Sequence, residues 1–257
     1  MHLESCDIVL HPSCNIIPPT TNELSLLLLS REIFKTMRAA KDGWYQNKTW
    51  NGRIDSLFEE GLKRSRNAGN KAECLKVQGC LLLNSQQANI REVGIALLTR
   101  LCSDFPSEYY SVLPAQEKLG DYYLAQKNYL QAEYYFKTVT DHCTKQNSRT
   151  GTSSMADLKW AATILRSNQQ DKMETAYHLV MQYPPLLLKQ HDSKLYYAEL
   201  AAHICDRLDK KEAAAAFATT AIALSKITKP AFIRHTANNT KDESAGLLRT
   251  LEAISMG

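Results

Sequence analysis

Apolar residues recur every three or four positions along almost the whole chain beyond residue 22, which is the spacing of one face of an α-helix. The breaks between these segments are short and polar, and the sequence shows no alternating strand pattern. With 10 Gly and 8 Pro among 257 residues, it also lacks the turn residues that a sandwich or barrel of short strands needs. The pattern therefore predicts an all-α fold. Helices are predicted at about 71–86, 90–103, 108–125, 129–142, 155–168, 171–183, 193–207, 210–226 and 244–255.

The N-terminal region differs from the rest of the chain. Residues 1–21 hold three prolines and show no sustained period, so we predict an extended leader followed by one helical domain over residues 22–257. Helical spacing appears first at Leu26–Met37 and again at Ile54–Leu62, with an aromatic-rich connector between the two. Helices joined by such short turns pack as antiparallel hairpins, and a string of hairpins favours an α-solenoid over a closed bundle.

The first residues do not resemble a targeting segment. Acidic rather than basic residues precede the short apolar stretch near the N-terminus, unlike a secretory signal or a transit peptide. The most apolar run, Leu26–Leu29, is far shorter than the roughly 20 residues that span a bilayer. The seven cysteines are scattered and without framework spacing, which is typical of free thiols in a reducing compartment. We expect a soluble cytoplasmic protein.

One segment, Leu119–Val139, has the pattern of a helical hairpin whose two helices approach closely. Small residues at Gly120 and Ala132 let the helices come together, with large side chains filling the space on either side. The segment resembles a tetratricopeptide repeat (TPR), the unit of right-handed superhelical arrays of antiparallel hairpins. The positions that carry this resemblance are Leu119, Gly120 and Tyr123 on the first helix and Tyr129, Ala132, Phe136 and Val139 on the second.

Three further units match the TPR pattern less fully. They are Leu75, Gly79 and Leu82 with Gly94, Leu98, Leu101 and Pro106; Trp160 with Ala176 and Val180; and Ala201, Ala202, Cys205 and Leu208 with Ala213 or Ala214, Phe217 and Ala221. The small residues Gly94, Ala132, Ala176 and Ala213 are 38, 44 and 37 residues apart. The usual TPR period is about 34 residues, so longer turns are expected here. The resemblance covers about residues 71–226 and implies a solenoid with a capping helix at about 244–255.

No catalytic or phosphate-binding motif occurs in the sequence. His142 and His203 lie near cysteines, but neighbouring residues on one helix point in different directions and cannot form a nucleophile–base pair. We therefore expect neither enzymatic activity nor a cofactor. Four potential zinc ligands lie in the leader, but their spacing is not that of a common zinc finger, and we predict no metal there. These residues are His2, Cys6, His11 and Cys14.

Charge is unevenly distributed along the chain. Although the net charge is only +4, residues 31–76 hold 11 basic and six acidic residues, with Trp44, Tyr45 and Trp50 among them. Basic residues interleaved with aromatic ones can bind nucleic acid. A mixed-charge, solvated helix face explains the same residues. A nucleic-acid-associated helical repeat that uses this region is the alternative to protein binding.

The TPR resemblance implies a function and a binding face. Peptides lie in the concave groove of TPR arrays, lined by the first helix of each hairpin, so the resemblance implies a non-enzymatic scaffold that binds a polypeptide segment or a partner subunit. The side chains expected on this face are Lys76, Glu117, Asp121, Leu124, Tyr196, Glu199, His203 and Asp206. Acids dominate and Lys76 is the only cation placed there, whereas chaperone-binding TPR proteins use Lys, Asn and Arg. We therefore expect a basic partner segment and no membrane involvement.

Overall fold

The computed structural model describes residues 43–227 and 241–256, and within the last range it describes side chains from Leu248 onward. The chain divides into two compact units, Met1–Trp44 and Tyr45–Gly257. The leader predicted over residues 1–21 and the helix predicted at Leu26–Met37 lie outside the described residues. The domain boundaries inferred from the sequence therefore stay predictions.

Ten α-helices form the described part of the chain, and it contains no strand. In chain order they are α1 (Gly52–Arg64), α2 (Ala68–Leu83), α3 (Ala88–Asp104), α4 (Tyr109–Ala125), α5 (Tyr129–Gln146), α6 (Ala156–Arg166), α7 (Met173–Met181), α8 (His191–Arg207), α9 (Lys211–Ser225) and α10 (Lys241–Met256). Each helix predicted between about residues 71 and 255 is present, so the prediction of an all-α fold is confirmed. No helix in residues 43–227 and 241–256 is long and apolar enough to cross a membrane.

Some helix ends differ from the prediction because capping groups set them. α2 starts earlier than predicted, since the Asn67 side chain accepts a hydrogen bond from the Asn70 N–H at 2.8 Å. An asparagine in this position satisfies an amide that has no partner within the helix. α5 is longer than predicted, and it ends where Asn147 adopts the left-handed conformation at φ 45°.

Neighbouring helices pack in consecutive pairs. α2 packs against α3, α4 against α5, α6 against α7, and α8 against α9. We call the first helix of each pair its A helix and the second its B helix. A helices also contact one another, from α2 to α4 and from α6 to α8, and α8 contacts α10. The buried side chains also join helices that are consecutive in the chain. One cluster joins α5, α6, α7 and α8, and a second joins α8, α9 and α10.

Two of the hairpins depend on a glycine at the contact between their helices. Gly94 of α3 lies so close to α2 that a Cβ atom on it would be 2.5 Å from the backbone nitrogen of Leu83. A Cβ atom on Gly120 of α4 would be 2.6 Å from the ring of Phe136 in α5. Ala132 is fully buried in the same hairpin. The expectation that Gly120 and Ala132 lie buried at the helix contact is therefore confirmed.

The last two repeat units, which match the TPR pattern less fully, also place residues of the pattern in the core. Trp160 of α6 and Ala176 and Val180 of α7 are buried together. In the last unit, Ala214 takes the buried position and is 1% exposed, whereas Ala213 is half-buried. The sequence left these two alanines as alternatives, and the packing of α9 on α8 selects the second.

The connection between α5 and α6 is fixed by buried polar groups. Asp157 is 6% exposed and accepts hydrogen bonds from both terminal nitrogens of Arg149 and, at 3.2 Å, from the hydroxyl of Thr140. Tyr183 donates its hydroxyl to the Ser154 carbonyl at 2.7 Å. Polar groups paired in this way hold an irregular backbone in one conformation. The long interval between the second and third units therefore contains a structured connection.

The segment before α1 is fastened to α2. Gln78 is fully buried; it accepts a hydrogen bond from the Asn47 N–H at 2.9 Å and donates one to the Asn47 carbonyl at 2.7 Å. Trp50 packs edge-on against Phe58 of α1, with ring centroids 5.5 Å apart. Trp50, which the sequence offered as a stacking residue for a nucleic-acid base, therefore packs against the protein itself.

Candidate functional site

The side chains predicted for the binding face lie on three A helices. Lys76 is on α2; Glu117, Asp121 and Leu124 are on α4; and Tyr196, Glu199, His203 and Asp206 are on α8. Their environments differ sharply in burial and in charge pairing. Their role in binding stays a prediction.

Glu117 is engaged inside the protein. It is 5% exposed, and its carboxylate accepts hydrogen bonds from the backbone N–H of Ser153 at 2.9 Å and from the Ser153 hydroxyl at 3.0 Å. Burial raises the pKa of Glu117, while these hydrogen bonds and the nearby charge of Lys159 offset part of that rise. Its carboxylate anchors the connection between α5 and α6, so Glu117 does not contribute an open charge to the face.

Asp121 lies one turn further along α4 and pairs with a cation from another helix. The ammonium group of Lys159 in α6 is 2.7 Å from its carboxylate. The same ammonium group lies 5.7 Å from the centroid of the Phe136 ring. The expectation that Lys76 is the only cation on this face is therefore wrong, because Lys159 reaches it from the intervening A helix.

Two further residues predicted for the binding face form ion pairs with residues close to them in the sequence. Lys76 lies 2.6 Å from Glu73, one turn before it on α2. Asp206, at the end of α8, lies 3.0 Å from Lys211 at the start of α9. Exposed or half-exposed pairs of this kind are weak, about 1 kcal/mol or less, and they leave little uncompensated charge.

Glu199 and His203 have no such partners. The carboxylate of Glu199 is half-buried, and within the described residues it accepts no hydrogen bond and makes no ion pair. Burial raises the pKa of Glu199 and lowers the pKa of His203, although the charge of Asp206 opposes the latter shift. The Nε2 atom of His203 is buried and has no hydrogen-bond partner. The carboxylate of Glu199 and the Nε2 atom of His203 thus have no hydrogen-bond partner among the described residues.

Tyr196 connects these groups electrostatically to the other A helices. The pKa of its phenol is raised to about 12, mainly by burial; Arg166 of α6 acts to lower it, and Asp121 of α4 and Glu199 act to raise it. Its ring packs against the core, as does Leu124. The predicted apolar anchors are therefore half-buried side chains that offer only part of their surface.

We give the name A-helix band to six polar residues of α4, α6 and α8. They are Asp121, Lys159, Arg166, Tyr196, Glu199 and His203. Sequence reasoning missed Lys159 and Arg166, because α6 lacks the Leu-Gly pair that fixes the register of the repeat. Trp160, which the repeat pattern located in the third unit, follows Lys159 directly and could have fixed the positions of both residues on α6. The band has charges of both signs, whereas the sequence predicted a face dominated by acids, with Lys76 as its only cation.

The basic region over residues 31–76 is only partly described. In its described part, Arg64 lies 3.3 Å from Glu60, and Glu59 is bound by both terminal nitrogens of Arg100 from α3. Acids of α1 thus compensate neighbouring cations, which fits a mixed-charge helix face. The nucleic-acid alternative is untested by this arrangement and stays a prediction.

The thiols of the described residues are free and protonated at neutral pH. Burial raises the pKa of every one of them, that of Cys102 to about 11; the others are Cys74, Cys80, Cys143 and Cys205. Across residues 43–227 and 248–256, no group of three or more His, Cys, Asp or Glu side chains has the arrangement of a metal site. The leader cluster with Cys6 and Cys14 lies outside the described residues.

No family model matches the chain, and comparison with curated proteins and with solved structures gives no significant match.

Proposed function

We propose that this chain is a TPR-like α-solenoid that acts as a non-enzymatic scaffold and binds a polypeptide segment, or a segment of a partner subunit, across the A-helix band. Consecutive helix pairs whose A helices also contact one another support the solenoid. The glycine contacts at Gly94 and Gly120, which the repeat pattern anticipated, support it further.

The observation that carries the binding proposal is the A-helix band itself. It crosses α4, α6 and α8, it holds charges of both signs beside the half-buried ring of Tyr196, and two of its polar groups have no partner within the described residues. Half-buried polar groups are normally paired inside a protein, since an unpaired one loses the hydrogen bonds it made to water. A bound polypeptide would supply partners for the groups of the band that reach the surface, such as the carboxylate of Glu199 and the guanidinium of Arg166.

Site-specific crosslinking tests this proposal. A photoreactive amino acid replaces Arg166, which is exposed and belongs to the band. The same amino acid replaces Glu92 in a control protein, since Glu92 is exposed on the B helix α3. In cell extract we expect polypeptide adducts at position 166 and not at position 92. Equal adducts at the two positions, or adducts at position 92 alone, would contradict binding across the A helices.

A further inference from the structure

In an antiparallel hairpin, the start of the A helix and the end of the B helix lie at the same end. Side-chain contacts locate this end in two of the hairpins. The ring of Tyr109, in the first turn of α4, lies 4.5 Å from the ring of His142 near the end of α5. The Nε2 atom of His191, at the start of α8, lies 2.9 Å from the carbonyl oxygen of Leu224 near the end of α9.

The connections between the hairpins join these ends to one another. The ring of Tyr110 lies against Gly151 in the connection from α5 to α6, where a Cβ atom on the glycine would be 3.3 Å from the ring. Tyr183, at the start of the connection from α7 to α8, bonds to the carbonyl of Ser154 just before α6. The ends of three hairpins therefore form one continuous edge. We call it the connection edge, and it comprises residues 108–110, 142–155, 182–194 and 224–227.

Large apolar side chains protrude from this edge. They are Tyr109, Tyr110, Leu186 and Ile227, which are 47%, 72%, 88% and 56% exposed. Leu186 lies at the tip of the connection from α7 to α8, directly after two exposed prolines. At the opposite ends of the same three hairpins, Leu130 is the one such side chain that the structure describes. Exposed apolar residues gathered on one part of a surface are typical of an interaction site.

The connection edge also has an excess of open positive charge. Its exposed lysines have no ion-pair partner among the described residues; they are Lys145, Lys189, Lys194 and Lys226. Two acids of the edge, Glu108 and Asp192, are also without an ion pair in that part of the chain, whereas Arg149 and Asp157 pair with each other. At the opposite ends of the hairpins, acids such as Asp171, Asp209 and Glu212 lie among the cations Lys127 and Arg166.

We propose that the connection edge docks on the surface of a membrane that contains anionic lipids. The lysines lie at the level of the phosphate and carboxylate headgroups, which attract them. Leu186 and Ile227 enter the boundary between headgroups and acyl chains, and Tyr110 takes the interfacial position that tyrosine favours. This inference goes beyond the proposed scaffold function, and it departs from the expectation of no membrane involvement.

The form of the edge favours a lipid surface over a polypeptide. Its apolar side chains protrude singly from separate connections, and two of them lie beside a lysine in the sequence, Leu186 near Lys189 and Ile227 next to Lys226. A fluid lipid surface can meet separate tips, whereas a polypeptide usually binds in a groove or pocket. Because two acids oppose four lysines, the attraction is modest and the docking is weak and reversible.

Cosedimentation of the chain with lipid vesicles tests this inference. One set of vesicles is phosphatidylcholine alone, and the other contains about one third phosphatidylserine, with lipid in large excess over protein. We expect at least tenfold tighter binding to the anionic vesicles at low ionic strength, and weaker binding as salt screens the lysines. Lys189→Gln combined with Lys226→Gln should weaken binding by about fivefold for each charge removed.

Matched variants at the opposite ends of the hairpins provide the controls. Lys127→Gln combined with Arg166→Gln removes the same charge from the protein and should change vesicle binding less than twofold. Leu186→Asp should weaken binding at least fivefold, whereas Leu130→Asp, at a similarly exposed leucine, should not. All four positions are exposed, so circular dichroism and the melting temperature should stay those of the natural sequence.

Insertion into the lipid has its own measurement. Tryptophan replaces Leu186 in one protein and Leu130 in another, and the vesicles contain lipids with brominated acyl chains, which quench tryptophan fluorescence on contact. We expect quenching beyond that of the natural sequence for Leu186→Trp and not for Leu130→Trp. Equal quenching of the two proteins would contradict docking through the connection edge.

The remaining outcomes overturn the inference without touching the scaffold proposal, which crosslinking at position 166 tests separately. Absence of binding to the anionic vesicles, or equal binding to both kinds of vesicle, would overturn it. So would anionic-vesicle binding that survives both the double lysine change and Leu186→Asp. A chain that ignores vesicles but binds polyglutamate, and loses that binding with Lys189→Gln and Lys226→Gln, would assign the edge to an acidic polypeptide instead.

Discussion

The ammonium group of Lys159 lies 2.7 Å from the carboxylate of Asp121, so an ion pair joins the A helix α6 to the A helix α4. Both side chains are partly exposed, at 22% and 39%, which limits the strength of the pair. Its main effect is on the arrangement of charge, because it neutralises one of the two acids of the A-helix band.

Removing this pair should cost little stability. We expect Lys159→Met and Asp121→Asn each to lower the free energy of unfolding by about 0.5–1 kcal/mol, as measured by urea denaturation. The double variant should lose no more than the larger single change, because both substitutions remove the same interaction. Fully additive losses would show that the two side chains act independently.

The close contact between α2 and α3 makes Gly94 far more sensitive to substitution than its small size suggests. A Cβ atom there would lie 2.5 Å from the backbone nitrogen of Leu83, and a backbone atom cannot move aside as a flexible side chain can. We expect Gly94→Ala to lower the free energy of unfolding by about 3 kcal/mol, the upper part of the range for overpacked cores.

Gly52 provides the matched control. A Cβ atom at this position, in the first turn of α1, meets nothing within 4 Å. Gly52→Ala should leave the free energy of unfolding unchanged or raise it by about 0.5 kcal/mol, since alanine restricts the unfolded chain more than glycine does. A Gly94→Ala variant as stable as Gly52→Ala would mean that α2 and α3 do not approach so closely.

The helices were predictable from the sequence because their signal is local. Periodic apolar residues and polar breaks located every helix from about residue 71 onward, and the small residues Gly120 and Ala132 marked a hairpin contact correctly.

The charge pattern of the candidate face was not predictable in the same way. Glu117 and Asp121 occupy one face of α4, yet Ser153 from the connection between α5 and α6 donates hydrogen bonds to the first, and Lys159 forms its ion pair with the second. Such pairings join residues nearly 40 positions apart, and no spacing rule within one helix reveals them.

Asp157 holds the connection between α5 and α6 through buried hydrogen bonds and an ion pair with Arg149. The sequence pattern did not indicate these interactions either. Removing one partner of a buried ion pair leaves an uncompensated charge. We expect Asp157→Asn to lower the free energy of unfolding by about 3 kcal/mol, because Arg149 then loses its only ion-pair partner within the described residues. Asp141→Asn, at an exposed acid of α5 paired with Lys137, should cost less than about 0.5 kcal/mol. Similar losses in the two variants, compared by urea denaturation, would contradict a special role for the network.

Glu199 and Glu133 are both partly removed from water, but their pKa values move in opposite directions. Burial raises the pKa of Glu199. Burial also acts to raise the pKa of Glu133, yet hydrogen bonds from Lys172, Gln169 and Trp160 lower it overall. The two acids should therefore change the stability of the protein with pH in opposite senses.

The sign follows from proton binding. In the folded protein Glu199 holds its proton to higher pH than in the unfolded chain, so ionisation destabilises the fold as pH rises from the ordinary value of 4.5 toward the raised pKa. Glu199→Gln should thus match the natural sequence below pH 4.5 and become relatively more stable as pH increases to 7.

Glu133 ionises more easily when folded, and its contribution to the free energy of unfolding is present above pH 4.5 and lost as pH falls through its lowered pKa. Glu133→Gln should consequently be less stable than the natural sequence at pH 7, with the difference shrinking in acid. Urea denaturation of both variants across pH 3–7 measures these trends. A Glu199→Gln variant that becomes relatively less stable between pH 4.5 and 7 would contradict the raised pKa and show that its carboxylate has a partner in the folded protein.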